Sequence, residues 1–397
     1  MKYCTKCLMP DTRPHTIMTK EGLCQACLNQ EEKKKVDWSK RWVELKALCD
    51  KYRRKDGYYD CVIPVSGGKD SHYLVYIMKE KMGMNPLLIT VADPFTKTIT
   101  GQKNFANLGS AFNCDMMLFN LSIDLFRRVT KIGFEELGEP LRFVEAAIYT
   151  APYKIAVSMN IPLIVFGENA AFEYGTTDKE DYSAKKYIAA GHSAAAEKLG
   201  KEICDFWLTR GISKAEMNAI IPPTQAEVER VKPEPIFMSY FTPWDDERNY
   251  QIAKRYGFID LVHEWRREGN VEDYGQIDSI SYIVHLWMKY PKFGFGRATD
   301  ITCRWIRGGK ITRAEAIKLV MKYDHRLDKL AMQDFINFMG YQPRQFWDIV
   351  EKFWNKEIFE NVDGTWILKN PLWKLENPTS YVSLPPFVDV KEKKSSK

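Results

Sequence analysis

The chain has 397 residues, 45% apolar and 28% charged, with a formal net charge of +6. That length allows two or three domains around a large core, and the composition is that of a globular protein rather than a disordered or fibrous one. Apolar runs such as Ile161–Phe166 stop far short of the ~20 residues of a membrane helix, and the mild charge suits an anionic small molecule without demanding nucleic acid.

The N-terminus, MKYCTKCLMP, lacks the apolar centre of a signal peptide, so a cytoplasmic location and no membrane association are expected. Four of the nine cysteines form two C-x-x-C pairs, Cys4/Cys7 and Cys24/Cys27. Each pair places two thiolates on one tight knuckle, and two knuckles complete a tetrahedron, which is structural zinc spacing. Pro10 and Gly22 favour the turns such knuckles need. Disulfides are disfavoured without a secretion signal. An iron–sulfur cluster is the alternative that metal analysis separates. Four thiolates close the coordination shell, so no catalytic metal is expected there. The other five cysteines (Cys49, Cys61, Cys114, Cys204 and Cys303) read as small apolar residues. The basic runs at 33–35 and 53–55 read as solvated helix faces.

After a connecting helix over 38–55, the segment YYDCVIPVSGGKDSHY at 58–73 reads as strand, glycine turn and helix start. Val62, Ile63 and Val65 supply the β-branched run of a buried strand. Gly67 and Gly68 permit a sharp turn and close approach to a ligand, and Asp70 and Ser71 are helix-cap residues. A helix N-terminus behind such a turn suits phosphate. Lys69 adds a cation, and Ser66 and Ser71 add hydroxyl donors. Ser66–Ser71 is thus the candidate site for a nucleotide phosphate.

Strand candidates at 61–65, 87–91, 116–120 and 161–166 alternate with helical patterns at 71–81, 103–112 and 145–159. Such alternation predicts an α/β fold with right-handed βαβ units and a parallel sheet covered on both faces. Ligands then bind beyond the carboxyl ends of the strands, which brings the phosphate turn, Asp93 and Gly167-Glu168-Asn169 to one crevice. A fifth strand is expected at 236–241, with a long insertion over 173–231. From about residue 247 the pattern becomes mainly helical. Thr312-x-x-Glu315 is a capping box for a helix through 321; helices are expected at 333–339, ended by Gly340, and at 346–354. Asp363-Gly364 turns a small hairpin over 361–368. Trp366, Trp373 and Tyr381 read as packing residues, and the tail at 391–397 as polar and unstructured. The expected domains are 1–36, a zinc-binding module; 37–246, a nucleotide-binding domain; and 247–397, a mainly helical region.

The SGGKDS hexapeptide resembles the loop of the PP-loop ATP pyrophosphatases and differs from a Walker A loop, which needs G-x-x-x-x-G-K-S/T. The paired cysteines, GEN at 167–169, Glu173-Tyr174-Gly175, Trp244-Asp245, KFGFGRATD at 292–300 and IRGGKITRAEA at 306–316 accompany it. Together they resemble the N-acetyl sugar amidotransferases of bacterial surface-polysaccharide (lipopolysaccharide) and flagellin-glycan pathways, over residues 1 to about 320. The resemblance implies a Rossmann-like PP-loop fold and a ligase-like enzyme that uses ATP, Mg²⁺ and ammonia. It would turn the acetamido group of a nucleotide-linked N-acetyl sugar into an acetamidino group through an adenylated intermediate, releasing AMP and pyrophosphate. With the crevice at the strand ends, ATP binding is expected at Ser66, Gly67, Gly68, Lys69, Asp70, Ser71, Asp93 and Gly167. Catalysis falls to Lys69, Asp70 (a Mg²⁺ ligand) and Glu168 (orienting the amide or deprotonating ammonia). Substrate binding falls to Asn169, Glu173, Tyr174, Arg297 and Asp300.

Residue 2 is Lys rather than a cysteine nucleophile, and no cysteine sits in a G-x-C-x-G elbow, so a separate glutaminase partner is implied. The competing reading is a PP-loop tRNA-modifying enzyme, by thiolation or lysidine-type adenylation. It would favour further paired cysteines or a more basic surface, so a nucleic-acid partner is not expected.

Overall fold

A computed structural model describes residues 1–185, 188 and 194–376, with 194–200 and 375–376 described by backbone alone. Tyr381 and the 391–397 tail lie outside the described residues. Five strands build one sheet: β1 Cys61–Pro64, β2 Pro86–Ala92, β3 Met116–Asn120, β4 Leu163–Phe166 and β5 Glu234–Phe237. Their order is β3-β2-β1-β4-β5 and every pairing is parallel. β1 pairs with β2 on one side (Val62 opposite Leu87) and β4 on the other (Val62 opposite Ile164), so the order in which strands are added reverses between β1 and β4. Ligands of open α/β sheets bind at that switch point.

Alternation along β1 explains the two covered faces. Ile63 packs with Leu45 and Cys49 of the helix Trp38–Tyr52 and with Tyr73 and Leu74 of the helix Lys69–Val75. Val62 turns the other way, toward Tyr153, Ala156 and Val157 of the helix Arg142–Ser158. A parallel sheet buried on both faces requires this near-continuous apolar run.

The third core joins the N-terminal module to the C-terminal helices. Leu8, Met9 and the four paired cysteines pack in one cluster with Phe335 and Phe346 of the C-terminal helices and with Trp354 just after them. Arg313 donates to the Cys4 carbonyl at 2.8 Å, and the Leu8 N–H lies 3.3 Å from Cys303 Sγ. Polar N-caps set the helix starts: Thr98 for Ile99–Phe112, Asp245 for Asp246–Arg255, and Thr312 with Glu315 as a full capping box for Arg313–Tyr323. The hairpin pairs β6 Phe359–Val362 with β7 Thr365–Leu368, turning at Asp363 and Gly364, both at positive φ.

Several elements differ from expectation. The fifth strand begins and ends earlier, and Met238–Phe241 is a helical turn. The helix after the phosphate turn starts at Lys69, because extended Gly68 is its N-cap, and passes into a π-helical stretch over Tyr76–Lys81. An unexpected amphipathic helix, Ile123–Ile132, is capped by Ser122 and buries Leu125, Phe126 and Val129. No helix among the described residues is long and apolar enough to cross a membrane.

Candidate functional site

The turn after β1 is built by its own side chains. The Ser66 N–H donates to Ser71 Oγ at 2.9 Å. His72 Nδ1 lies 3.0 Å from the Gly68 carbonyl; a carbonyl only accepts, so that nitrogen carries the proton. Burial lowers the His72 pKa, which keeps the ring neutral in this role. Gly67 has φ +82°, and a Cβ there would meet the Phe105 backbone at 2.9 Å. Glycine therefore satisfies both the left-handed backbone and the close approach of the helix Ile99–Phe112.

Ser66, Gly67, Gly68, Lys69, Asp70, Glu168, Tyr174 and Arg297 line one polar cavity of about 160 Å³. Lys69 is buried, with Nζ 2.6 Å from Asp70 and 3.0 Å from Asp246. Burial alone would lower its pKa, but the two carboxylates outweigh that and the net shift is upward. Asp70 also accepts from Asn249 at 2.9 Å. Glu168 stands 3.3 Å from Arg304, whose other nitrogen is 3.0 Å from Asp246. Burial raises the Glu168 pKa; Arg304 pulls it back, while Asp246, Glu173 and Asp70 push it further up. Arg304 also donates to the Tyr174 hydroxyl.

A second cavity of about 330 Å³ adjoins the first and shares Ser66, Gly101 and Asp278 with it. Val91, Phe105 and Leu118 give it apolar walls, and Asp93 stands at its edge. Asp93 accepts from Lys97 at 2.7 Å and from Ser279 at 2.9 Å. The segment carrying Ser279 is laid over the carboxyl ends of the strands. Glu264 accepts from the Ile99 and Thr100 N–H groups at 2.7 Å each, and the Thr98 N–H reaches the Asp278 carbonyl at 3.1 Å. A Cβ on Gly101 would lie 2.5 Å from Asp278 Cα, so only glycine allows this seating.

Other expected residues stand elsewhere. Ser71 is buried behind the turn. Gly167 faces Trp244, where a Cβ would lie at 3.1 Å. Asn169 is buried and caps a short helix through the Phe172 N–H. Glu173 pairs with Lys33, the last residue of the helix Gln25–Lys33 that carries Cys27. Asp300 is buried, held 2.6 Å from Arg13 and also paired with Lys289. Conversely, Asp246, Asn249, Glu272, Tyr274, Arg304 and Arg13 were not expected at the site. Glu272 anchors Arg297 at 3.5 Å, Tyr274 stacks on Tyr250, and Arg13 lies 4.0 Å above the Tyr174 ring. Arg297 Nε is buried without a partner. The nearby Trp244-Asp245 motif was the only local signal for Asp246.

Sγ atoms of Cys4, Cys7, Cys24 and Cys27 all lie within 4.8 Å of one another and are buried, with Cys4–Cys27 at 3.8 Å and Cys7–Cys24 at 3.6 Å. The four thiols could hold a metal.

Residues 268–372 match the model of the LPS biosynthesis protein WbpG-like, C-terminal domain. That stretch contributes Glu272, Tyr274, Arg297 and Arg304 to the cavity, and runs past residue 320, where recognisable motifs end. The uncharacterized protein MJ1599 of Methanocaldococcus jannaschii is 26% identical over 166 residues, 40% of this chain and 58% of that protein. The chain thus spans less than two thirds of that relative's length. The U34-tRNA thiolase NcsA from Methanococcus maripaludis, solved with its 4Fe-4S cluster, is 12% identical with a TM-score of 0.23, covering 70% of this chain and 92% of that one.

Proposed function

We propose that the chain is an ATP-dependent, AMP-forming amidotransferase of the PP-loop type that converts the acetamido group of an N-acetyl sugar into an acetamidino group in surface-polysaccharide synthesis. The observation that carries this reading is the convergence on one cavity of the Ser66–Asp70 turn with Glu168 and Arg304. The WbpG-like match over 268–372 supports the pathway class. The domain limits 1–36, 37–246 and 247–397 belong to the same proposal, as does a cytoplasmic site of action.

An amide carbon is a poor electrophile and its oxygen a poor leaving group. Joining AMP to that oxygen, with loss of pyrophosphate, gives an imidate that ammonia can attack. The turn's N–H groups and Lys69 would face the departing pyrophosphate and neutralise its charge. In the structure Asp70 and Asp246 hold Lys69, so the cation is already in place and pre-aligned. Asp70 and Asp246 would hold Mg²⁺, which takes one or two carboxylates and fills its shell with phosphate oxygens and water. The apolar walls around Phe105 and Leu118 suit an adenine ring. Arg304 can stabilise charge developing on the amide side, and Arg297 Nε offers an unused donor there.

Zinc is the metal we propose for the four cysteines. Zn–S bonds of about 2.3 Å in a tetrahedron put sulfurs roughly 3.8 Å apart, matching Cys4–Cys27 at 3.8 Å and Cys7–Cys24 at 3.6 Å. A four-iron cube with a thiolate at each corner spreads them further. Among the described residues no cysteine lines the cavity of the phosphate turn, which disfavours sulfur transfer to tRNA. Ammonia would come from a separate glutaminase.

The test is the nucleotide product. With ATP, Mg²⁺ and a panel of nucleotide-linked N-acetyl sugars, the acceptor alone should support exchange of pyrophosphate into ATP, and repeated turnover to AMP and pyrophosphate should need ammonium as well. ADP with phosphate, or turnover requiring tRNA, would overturn the reading.

A further inference from the structure

Glu168, Asp246 and Arg304 each line two cavities. One opens on the phosphate turn. The other lies behind them and is about 60 Å³, room for a few water-sized molecules. Its walls are Trp244 and Trp305, with Gln30 from the cysteine-bearing module and Lys310 beyond the helix Arg297–Arg307. Lys310 pairs with Asp245 at 3.3 Å, and Glu173 is tied to Lys33, so the rim is fixed by ion pairs from four separate parts of the chain.

We propose that this rear cavity is the port through which the nitrogen nucleophile enters, with Arg304 and Glu168 as the partition between it and the adenylation cavity. The inference rests on the amidotransferase reading and extends it to a second, dedicated entrance. Three observations carry it. The partition is a single layer of side chains, since the same Glu168, Asp246 and Arg304 face both sides. The cavity takes a molecule the size of ammonia, while the turn side is the larger and the one with phosphate donors. Glu168, Glu173, Asp245 and Asp246 outnumber Arg304, Arg307 and Lys310 along its wall, and the two indoles offer faces to a small cation; Glu168 also reaches the far side where the imidate would lie.

The chemistry balances. Of the four protons of ammonium, one passes to the Glu168 carboxylate and frees the lone pair. The C–N bond forms and the C–O bond to AMP breaks. The amide proton stays on the sugar nitrogen of the adenylated, cationic imidate; a second ammonium proton therefore leaves with the AMP phosphate, and two remain on the new amidinium nitrogen. Entry from behind also keeps the adenylate away from bulk water, which would hydrolyse it and waste ATP.

The test uses the full chain with ATP, Mg²⁺, a nucleotide-linked N-acetyl sugar and ammonium chloride. Gln30→Trp should narrow the port and raise the KM for ammonium about tenfold. The KM for ATP and the sugar-dependent exchange of pyrophosphate into ATP should stay unchanged. Trp305→Ala should widen it and admit methylamine, giving an N-methylated product that the wild type does not form. Unchanged ammonium KM in the first variant, or continued rejection of methylamine by the second with exchange intact, overturns the port. A wild type that shows exchange but no ammonium-dependent product overturns the amidotransferase reading itself.

Discussion

Replacing Asp246 by asparagine removes a charge that two buried cations share. Asp246 lies 3.0 Å from both Lys69 and Arg304, with side chains 15% exposed for Asp246, 7% for Lys69 and 21% for Arg304. Breaking a buried ion pair by removing one partner costs about 3–5 kcal/mol. The asparagine oxygen still accepts one hydrogen bond and the cavity admits water, so about 2–3 kcal/mol is expected. Burial raises the Asp246 pKa, but Arg304 and Lys69 more than reverse this and hold it well below the usual carboxylate range. Its stabilisation is therefore complete above the unfolded value of about 3.9 and fades as pH falls toward the depressed folded value; at pH 7 the whole effect is read. Urea unfolding followed by tryptophan fluorescence, on wild type, Asp246→Asn, Lys69→Met and the double variant, isolates the pair. A coupling of about 1–3 kcal/mol is expected, with the double variant less damaged than the sum of the singles. Activity should not return with stability, because Lys69 is gone. Additive losses, within about 0.5 kcal/mol, would refute a shared buried charge.

Lys69→Ala and Ser66→Ala should each leave a folded protein whose pyrophosphate release falls about 100-fold or more, as when a transition-state donor is lost; unchanged release in both rules out the turn. The purified protein should carry about one zinc per chain, and Cys4→Ser or Cys24→Ser should lower the melting temperature or the soluble yield; a metal-free protein of equal stability and activity contradicts this, and iron in place of zinc changes the metal but keeps the ligands. Burial raises Glu168, with Arg304 opposing and Asp246, Glu173 and Asp70 reinforcing. As a base it must be ionised, so the rate at constant ammonium-ion concentration should rise with pH along a limb centred above the usual ~4.3, and that limb should vanish in Glu168→Gln. Isolated protein should use ammonium and be nearly inert with glutamine until a glutaminase is added; robust glutamine use alone would overturn the partner.

Local chemistry explains what was legible beforehand. Periodicity located the first four strands, and Thr312 with Glu315, Gly340, and Asp363-Gly364 marked their elements because caps and tight turns depend on neighbouring residues. The helix Ile123–Ile132 carries a sequence signal only in Ser122 and the apolar spacing Leu125, Phe126 and Val129, a short pattern that charged residues interrupt. β5 was misplaced because the apolar run continues through Phe241 after the sheet has ended. At the site, Ser66–Ser71 was readable because one turn holds its own phosphate donors. Asp246, Glu272 and Arg304 were not: they reach Lys69, Arg297 and Glu168 only through folding, from segments far apart in the chain. Asp300 stood within a recognisable motif, and its burial between Arg13 and Lys289 follows from packing of the N-terminal module against the C-terminal helices.

Fate of the acetamido oxygen tests adenylation most directly. A nucleotide-linked N-acetyl sugar labelled with heavy oxygen in that carbonyl is incubated with the protein, ATP, Mg²⁺ and ammonium, and both products are weighed. The account predicts heavy oxygen in the AMP and an unlabelled sugar product about one mass unit lighter than the unlabelled substrate, because NH has replaced O. Heavy oxygen retained in the sugar, or AMP formed without it, would contradict activation of the amide oxygen.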